Sequence, residues 1–218
     1  MGISIILLAY KEAENLKILL PKIINEINKT NETYEILVID IEKPLDNTEE
    51  VCNEFDAKYI NQEFPNFGGA LKTAIKYANM DKFLILDADG SHDPIYIMDI
   101  YNKFINEKCD VVIGSRYVNG GKTTDETVSI FMSVILNIIF RKILGIDAKD
   151  VSTDFRMYDT KQLKAINLDC RNYDILQEVL VRMKLNNKTL KIEEIPITFK
   201  KRIYGESKRQ LIPFIIDY

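Results

Sequence analysis

The sequence predicts an α/β protein: a mostly parallel central sheet with helices on both faces. Three observations predict it. Short, almost wholly apolar runs (ISIILLA, YEILVID, FLILD, DVVIG) alternate with stretches of helical periodicity. Runs without polar alternation suit strands buried on both faces, the habit of parallel sheets. Polar residues then collect just past the carboxyl ends of these runs: Tyr10 and Glu12, Asp40, Asp87 and Asp89, Ser115 and Arg116. That edge is where open α/β sheets bind ligands.

Residues 4–9 read as the first strand. Residues 13–28 carry Leu16, Leu19, Leu20, Ile23, Ile24 and Ile27 on one side of a helix, which Pro21 is expected to weaken or bend. A second strand follows over 34–40, a polar helix over about 48–55 and a short third strand over 57–61. A helix over 69–79 leads to a fourth strand over 83–87, and a helix over 95–107 to a fifth over 110–114. The second half changes character. After Gly120 and Gly121 comes a polar loop, then an apolar helix over about 127–144, the segment VSTDFRMYD, a helix near 174–185, an extended TLKIEEIPITFK and the basic run KKRIYGESKR. No repeat or low-complexity linker interrupts the chain. Residues 1–218 are therefore expected to form one domain, with a nucleotide-binding type of half over about 1–117 and a half over about 118–218 that completes the site.

Composition narrows the class. A length of 218 residues, 46% hydrophobic and 28% charged, suits a soluble globular domain with a sizeable core. A net charge of −4 argues against nucleic acid as a partner. Three separated cysteines, Cys52, Cys109 and Cys170, suggest neither a disulfide framework nor a zinc site, so a reducing cytoplasm is the expected setting. The N-terminus lacks the pattern of a signal peptide, and no run is long enough to span a membrane. Two apolar stretches, SIFMSVILNIIF over 129–140 and the tail LIPFIIDY, read as core helix or as a surface resting on a bilayer.

The chemistry concentrates in FLILDADGSHDP, residues 83–94. Side chains alternate in an extended segment, so Asp87 and Asp89 point the same way. Two carboxylates at a strand end attract a hard cation, magnesium or manganese, of the kind that stabilises a departing diphosphate. The plain alternative is an ordinary polar strand end. A calcium loop is excluded, because Gly90 falls at the fourth place instead of the sixth, Pro94 follows, and Met98 stands where the bidentate glutamate belongs. The segment also looks like the haloacid-dehalogenase phosphatase motif, but that motif follows a first strand and this one follows a fourth. His92, the one histidine, is a candidate metal ligand, phosphate contact or prop for the loop.

Further short motifs stand in order along the chain. They are Ala9-Tyr10-Lys11-Glu12 with Asn15-Leu16, Asp40 at a strand end, and Asn66-Phe67-Gly68-Gly69-Ala70-Leu71. Then come Asp87-Ala88-Asp89-Gly90-Ser91-His92-Asp93-Pro94, Gly114-Ser115-Arg116-Tyr117 with Gly120-Gly121, Phe155-Arg156, and Lys201-Arg202-x-Tyr204-Gly205-x-Ser207-Lys208. Together they resemble the family 2 inverting glycosyltransferases, most closely the branch of dolichol-phosphate mannose synthase and related polyprenyl-phosphate sugar transferases, over nearly the whole chain. Departures are visible. The family's Asp-Asp-Gly-Ser after the second strand is Asp40-Ile41-Glu42-Lys43 here, and its glutamine after Asp-x-Asp is Ser91. Asp154 replaces a glycine, and the apolar stretch offers Ser129, Ile130, Ser133 and Val134, with no arginine before Arg141.

The resemblance implies a Rossmann-like GT-A fold and inverting transfer from a UDP- or GDP-linked sugar. It implies Mg2+ or Mn2+ on Asp89 and Asp87, with Ser91 and His92 as further candidate ligands. Ala9, Tyr10, Glu12, Asp40, Gly69, Ala88, Arg116, Arg156, Tyr204 and Lys208 would contact the donor, and Arg202 with Lys208 would face its diphosphate. Arg116 and Arg156 are alternatively structural ion pairs. The acceptor is expected to be a polyprenyl phosphate, already an anion, or a sugar hydroxyl, which needs a general base. Asp154 and Glu178 are the candidate bases, though Glu178 alternatively only caps or pairs on its helix. A non-catalytic nucleotide-sugar binder is the remaining class, and the cytoplasmic face of a membrane the expected location.

Overall fold

Alternation along the central strands decides which helix covers which face. On β4 (Lys82–Asp87), Leu84 and Leu86 enter one apolar cluster, Phe83 and Ile85 the other. The same holds on β1 (Gly2–Leu8), where Ile3, Ile5 and Leu7 oppose Ile6. The first cluster is closed by α1 (Ala13–Ile27), α2 (Thr48–Glu54) and α4 (Ile97–Glu107), through Leu16, Leu20, Ile23, Val51, Ile97 and Ile100. The second is closed by α3 (Asn66–Tyr77), α5 (Thr160–Lys164) and α6 (Ile175–Asn186), through Leu71, Ala74, Leu163, Leu176, Val179 and Met183. This computed structural model describes residues 2–124, 138, 142 and 145–205.

The remaining strands are β2 (Thr33–Asp40), β3 (Lys58–Asn61), β5 (Val111–Ser115), β6 (Lys122–Thr123), β7 (Arg156–Asp159), β8 (Ile192–Pro196) and β9 (Thr198–Phe199). The main sheet has the order β3-β2-β1-β4-β7-β5-β8, and β6 pairs separately with β9. All neighbours in the main sheet are parallel except β7, which runs antiparallel between β4 and β5. The expected mostly parallel sheet with helices on both faces is what forms. The strand inside VSTDFRMYD was not expected: its charged residues hide a short strand held by its neighbours.

Pro21 lies inside α1 without ending it, because it sits on the exposed side, where the Lys17 carbonyl that loses its partner is open to water. Register then sets the site: Leu8 of β1 stands beside Ile39 of β2 and Asp87 of β4. Residues 9–12, Asp40 and Asp87 thus leave the sheet at one edge. The helix expected over 127–144 lies outside the described residues apart from Ile138 and Lys142, and so do Ser129, Ile130, Ser133, Val134, Arg141, Ser207, Lys208 and the apolar tail. Among the described residues no helix is long and apolar enough to cross a membrane.

Candidate active site

Strand β4 ends at Asp87 and the chain turns at once. Gly90 takes φ +79°, a left-handed conformation that costs side-chain-bearing residues dearly. The turn brings Ser91 back over both carboxylates. Its hydroxyl shares its one proton between Asp89 Oδ1 at 2.6 Å and Asp87 Oδ2 at 3.0 Å, and its N–H donates to Asp89 Oδ1 at 2.9 Å. Asp87 and Asp89 are thereby brought together, with Ala88 buried between them. Asp93 then accepts from the Ile95 N–H and pairs with Lys200 at 2.7 Å. Burial works to raise its pKa, but the Lys200 ammonium and that N–H prevail and lower it.

His92 is buried under the turn. Its Nδ1 accepts from the Asp87 N–H at 3.2 Å, and Nε2 lies 3.3 Å from Thr153 Oγ1. The ring packs against Phe155 and Phe199, at centroid distances of 5.0 and 5.1 Å. These contacts are those of a prop. The same Nδ1 lies 3.2 Å from Asp87 Oδ2 and 3.6 Å from Asp154 Oδ1. Asp87, His92 and Asp154 each offer a ligand atom within 4.8 Å of the others. Two carboxylate oxygens converging on one ring nitrogen favour positive charge among them. A hard divalent cation matches this donor set of two carboxylates and an imidazole, which has no thiol; Asp89 is not one of the three and is joined to Asp87 through the Ser91 hydroxyl.

The basic run from the far end of the chain docks on this turn. Phe199 bridges to His92, the Lys200 N–H donates to Ser91 O at 2.9 Å, and the Ile203 N–H donates to Asp89 O at 3.0 Å. Arg202 Nη2 then stands 3.0 Å from Glu12 Oε1 and 3.1 Å from Asp89 Oδ2. Glu12, Asp89 and Arg202 are thus brought together, with Tyr10 and Tyr204 exposed nearby in sequence. Ala9 is buried, its N–H bonded to Ile39 O. Asp40 is buried too, accepting from the Ile41 N–H at 2.8 Å and the Tyr59 hydroxyl at 3.0 Å. Burial and the Asp40 charge push the Tyr59 hydroxyl well above its ordinary pKa. Gly68 and Gly69 have a packing reason: a Cβ on Gly69 would lie 2.0 Å from Phe64 O, and one on Gly68 2.7 Å from Arg171 O.

Three of the expected site residues make structural contacts. Arg116 is buried and doubly paired with Asp150, Nε at 2.8 Å and Nη2 at 2.9 Å, with Ser152 beside it. Burial opposes the Asp150 charge, yet the Arg116 guanidinium holds its carboxyl below the ordinary range. Arg156 is fully buried under α6, donating to Leu176 O at 2.8 Å, Val151 O at 2.7 Å and Tyr158 Oη at 3.1 Å. Both guanidinium groups are engaged by protein groups. Glu178 caps the 169–170 backbone, accepting at 2.9–3.0 Å from the N–H groups of Asp169 and Cys170, and pairs with Arg182 at 3.1 Å. This is the pairing alternative, and of the two candidate bases only Asp154 joins the cluster. Sequence reasoning missed one participant: Asn15, quoted only beside the opening motif, meets the basic loop. Nothing in its sequence neighbourhood signals that.

The glycosyl transferase family 2 profile matches residues 4–166. The chain belongs to glycosyl transferase family 2. This family 2 domain is 32% identical to a dolichol-phosphate mannosyltransferase of Pyrococcus furiosus, over 95% of this chain and 59% of that protein. It is 32% identical to an undecaprenyl-phosphate mannosyltransferase of Micrococcus luteus, over 65% of this chain and 59% of that protein. The family 2 domain thus spans about three-fifths of the length of these curated relatives. Among solved structures it superposes on glucosyl-3-phosphoglycerate synthase of Mycobacterium tuberculosis in complex with Mn2+, UDP and phosphoglyceric acid. There the TM-score is 0.73 at 16% identity, covering 98% of this chain and 73% of that one. The same enzyme with Mg2+ and UDP gives 0.73 at 15% identity, covering 98% and 74%. The family 2 domain has the GT-A fold of these neighbours, and its family membership sets the phosphatase reading aside.

Proposed function

We propose that this family 2 domain is an inverting, divalent-cation-dependent glycosyltransferase that moves a sugar from a UDP- or GDP-linked donor to a polyprenyl phosphate. The observation that carries the reading is Arg202 held 3.1 Å from Asp89, which joins the basic loop to the aspartate turn. Asp87, Asp89 and Ser91 would hold Mg2+ or Mn2+, with His92 and Asp154 behind them. When bound, that ion would offset charge developing on the departing diphosphate. Arg202 adds a guanidinium whose planar fork suits phosphate oxygens. Tyr10, Glu12 and Asp40 stand at the sheet edge for the nucleoside, and Tyr204 and Lys208 belong to the loop that would cover the diphosphate and keep water out.

A lipid phosphate is already an anion and attacks without a base. The polyprenyl-phosphate acceptors named for both curated relatives support it. A sugar-hydroxyl acceptor is the second reading, favoured by one observation: Asp154, available as a base, joins the cluster 3.6 Å from His92. Residues 1–218 would act as one domain, since β7 and β8 of the second half belong to the main sheet. The apolar stretches over 129–140 and 211–218 would rest on the membrane face, which sedimentation with anionic vesicles tests.

The purified chain should be offered UDP- and GDP-sugars with Mn2+ and a polyprenyl phosphate. Nucleoside diphosphate release that requires the lipid and disappears with chelator or Asp89→Ala supports the proposal, together with an inverted anomer in the product. Release of UDP or GDP only with sugar acceptors favours the second reading. Release of inorganic phosphate from simple esters, with no nucleotide-sugar turnover, overturns both.

A further inference from the structure

The basic loop is tied down at two places. On one side its backbone pairs with the aspartate turn, through the N–H groups of Lys200 and Ile203. On the other it crosses the first turn of α1, 189 positions away in sequence, and meets the side chain of Asn15. Asn15 is 2% exposed, and every group of its amide is engaged. Oδ1 accepts from the Tyr204 N–H at 3.0 Å, and Nδ2 donates to Tyr204 O at 3.3 Å and to Glu12 Oε2 at 2.5 Å. A side-chain amide here bonds both backbone groups of one residue, as a neighbouring strand would.

We propose that Asn15 is a positioning residue that holds the 199–204 strap across the donor site. It acts at two points at once. It fixes the backbone at Tyr204, and it orients Glu12, whose other oxygen receives Arg202 at 3.0 Å. Arg202 in turn reaches Asp89. Asn15 touches no reacting atom and works through Glu12 and the strap. Its chemistry is specific. An aspartate has the same shape but no N–H, so it would set a carboxylate against the Glu12 carboxylate and the Tyr204 carbonyl oxygen. The proposal rests on the glycosyltransferase reading for what lies beneath the strap, but the strap itself is measured without any substrate.

The test is backbone hydrogen exchange on the full chain, wild type against Asn15→Asp. The loss of two ordinary hydrogen bonds should speed exchange across 199–205 by about tenfold, with β1 and β4 unchanged. Wild-type exchange in the strap of a folded Asn15→Asp protein overturns the proposal. Should that variant not fold, Tyr204→Pro removes the N–H that Asn15 accepts, together with the exposed phenol. Exchange at 202–203 must then also accelerate, and unchanged exchange overturns the proposal. Titration of UDP or GDP with Mn2+ separates the two claims. Binding to wild type that weakens about tenfold in Asn15→Asp supports this role, and equal binding by both proteins refutes it. A wild type that binds neither nucleotide counts against the glycosyltransferase reading, while the strap exchange still decides this one.

Discussion

Replacing Arg202 by glutamine removes a guanidinium that stands where a metal ion would be attracted. Arg202 contacts Asp89 at 3.1 Å, with the two side chains 20% and 22% exposed. Without nucleotide, a cation binding to Asp89 must compete with this internal partner. An ion pair of intermediate exposure contributes about 1 kcal/mol, roughly a fivefold change in affinity. Loss of a nearby positive charge acts in the same direction. The Arg202→Gln protein should therefore bind Mn2+ about fivefold more tightly than wild type, read by the free Mn2+ signal in paramagnetic resonance or by calorimetry. With a nucleoside diphosphate present the sign should reverse, because the same guanidinium is then needed by the phosphates. Affinity for the nucleotide in saturating Mn2+ should fall by about tenfold or more. Equal or weaker Mn2+ binding by the free variant would show that Arg202 and the metal do not compete for Asp89. That result would refute the reasoning.

Arg156→Met removes the buried guanidinium that donates to Leu176 O, Val151 O and Tyr158 Oη, and should lower stability by about 2 kcal/mol, a Tm drop of roughly 4–8 °C, with nucleotide affinity unchanged. A rise in donor KM at unchanged Tm would restore a phosphate role for that arginine. The Asp150 carboxyl, held below its ordinary 3.8 by Arg116 against burial, contributes stability that is complete above that value and lost as pH falls through the folded-state value. Calorimetry should accordingly show Tm falling as pH drops below the ordinary 3.8, with a flatter profile for Asp150→Asn. Gly90→Ala would force a side chain into φ +79°, with its Cβ 2.5 Å from Ile203 Cδ1. A loss of about 1–2 kcal/mol and faster exchange in the 199–205 strap should follow, and an unchanged strap would show that Ile203 simply moves aside.

The parallel strands were legible because continuous apolar runs leave little else for β1, β2, β4 and β5 to be. The aspartate turn was legible for a different reason: Asp87, Asp89 and Ser91 act locally, within five residues. What stayed hidden depended on distance along the chain. β7 is short and carries Arg156 and Asp159, so its pattern does not read as a buried strand. Arg116 and Arg156 occur in motifs that resemble phosphate binders, but an arginine looks the same in sequence whether its guanidinium is free or engaged. Asp150 lies 34 positions from Arg116, and Tyr204 lies 189 from Asn15. No periodicity reports such pairs. Glu178 reads as a cap or a pair on its helix more readily than as a base, and the 169–170 backbone beside it bears out the cap.

The antiparallel strand β7 has a consequence for how the chain comes to be made. In the main sheet β5 pairs only with β7 and β8, both of which follow it in sequence. A ribosome that has released residues 1–117 has therefore delivered β5 with two bare edges and β4 with one. Those edges invite β4 and β5 to zip directly to each other, a register that must be undone when residues 156–159 arrive. Residues 1–117 should consequently not behave as a separable module: expressed alone they should aggregate. The chain is committed to its final sheet only once the second half has threaded a strand into the middle of the first.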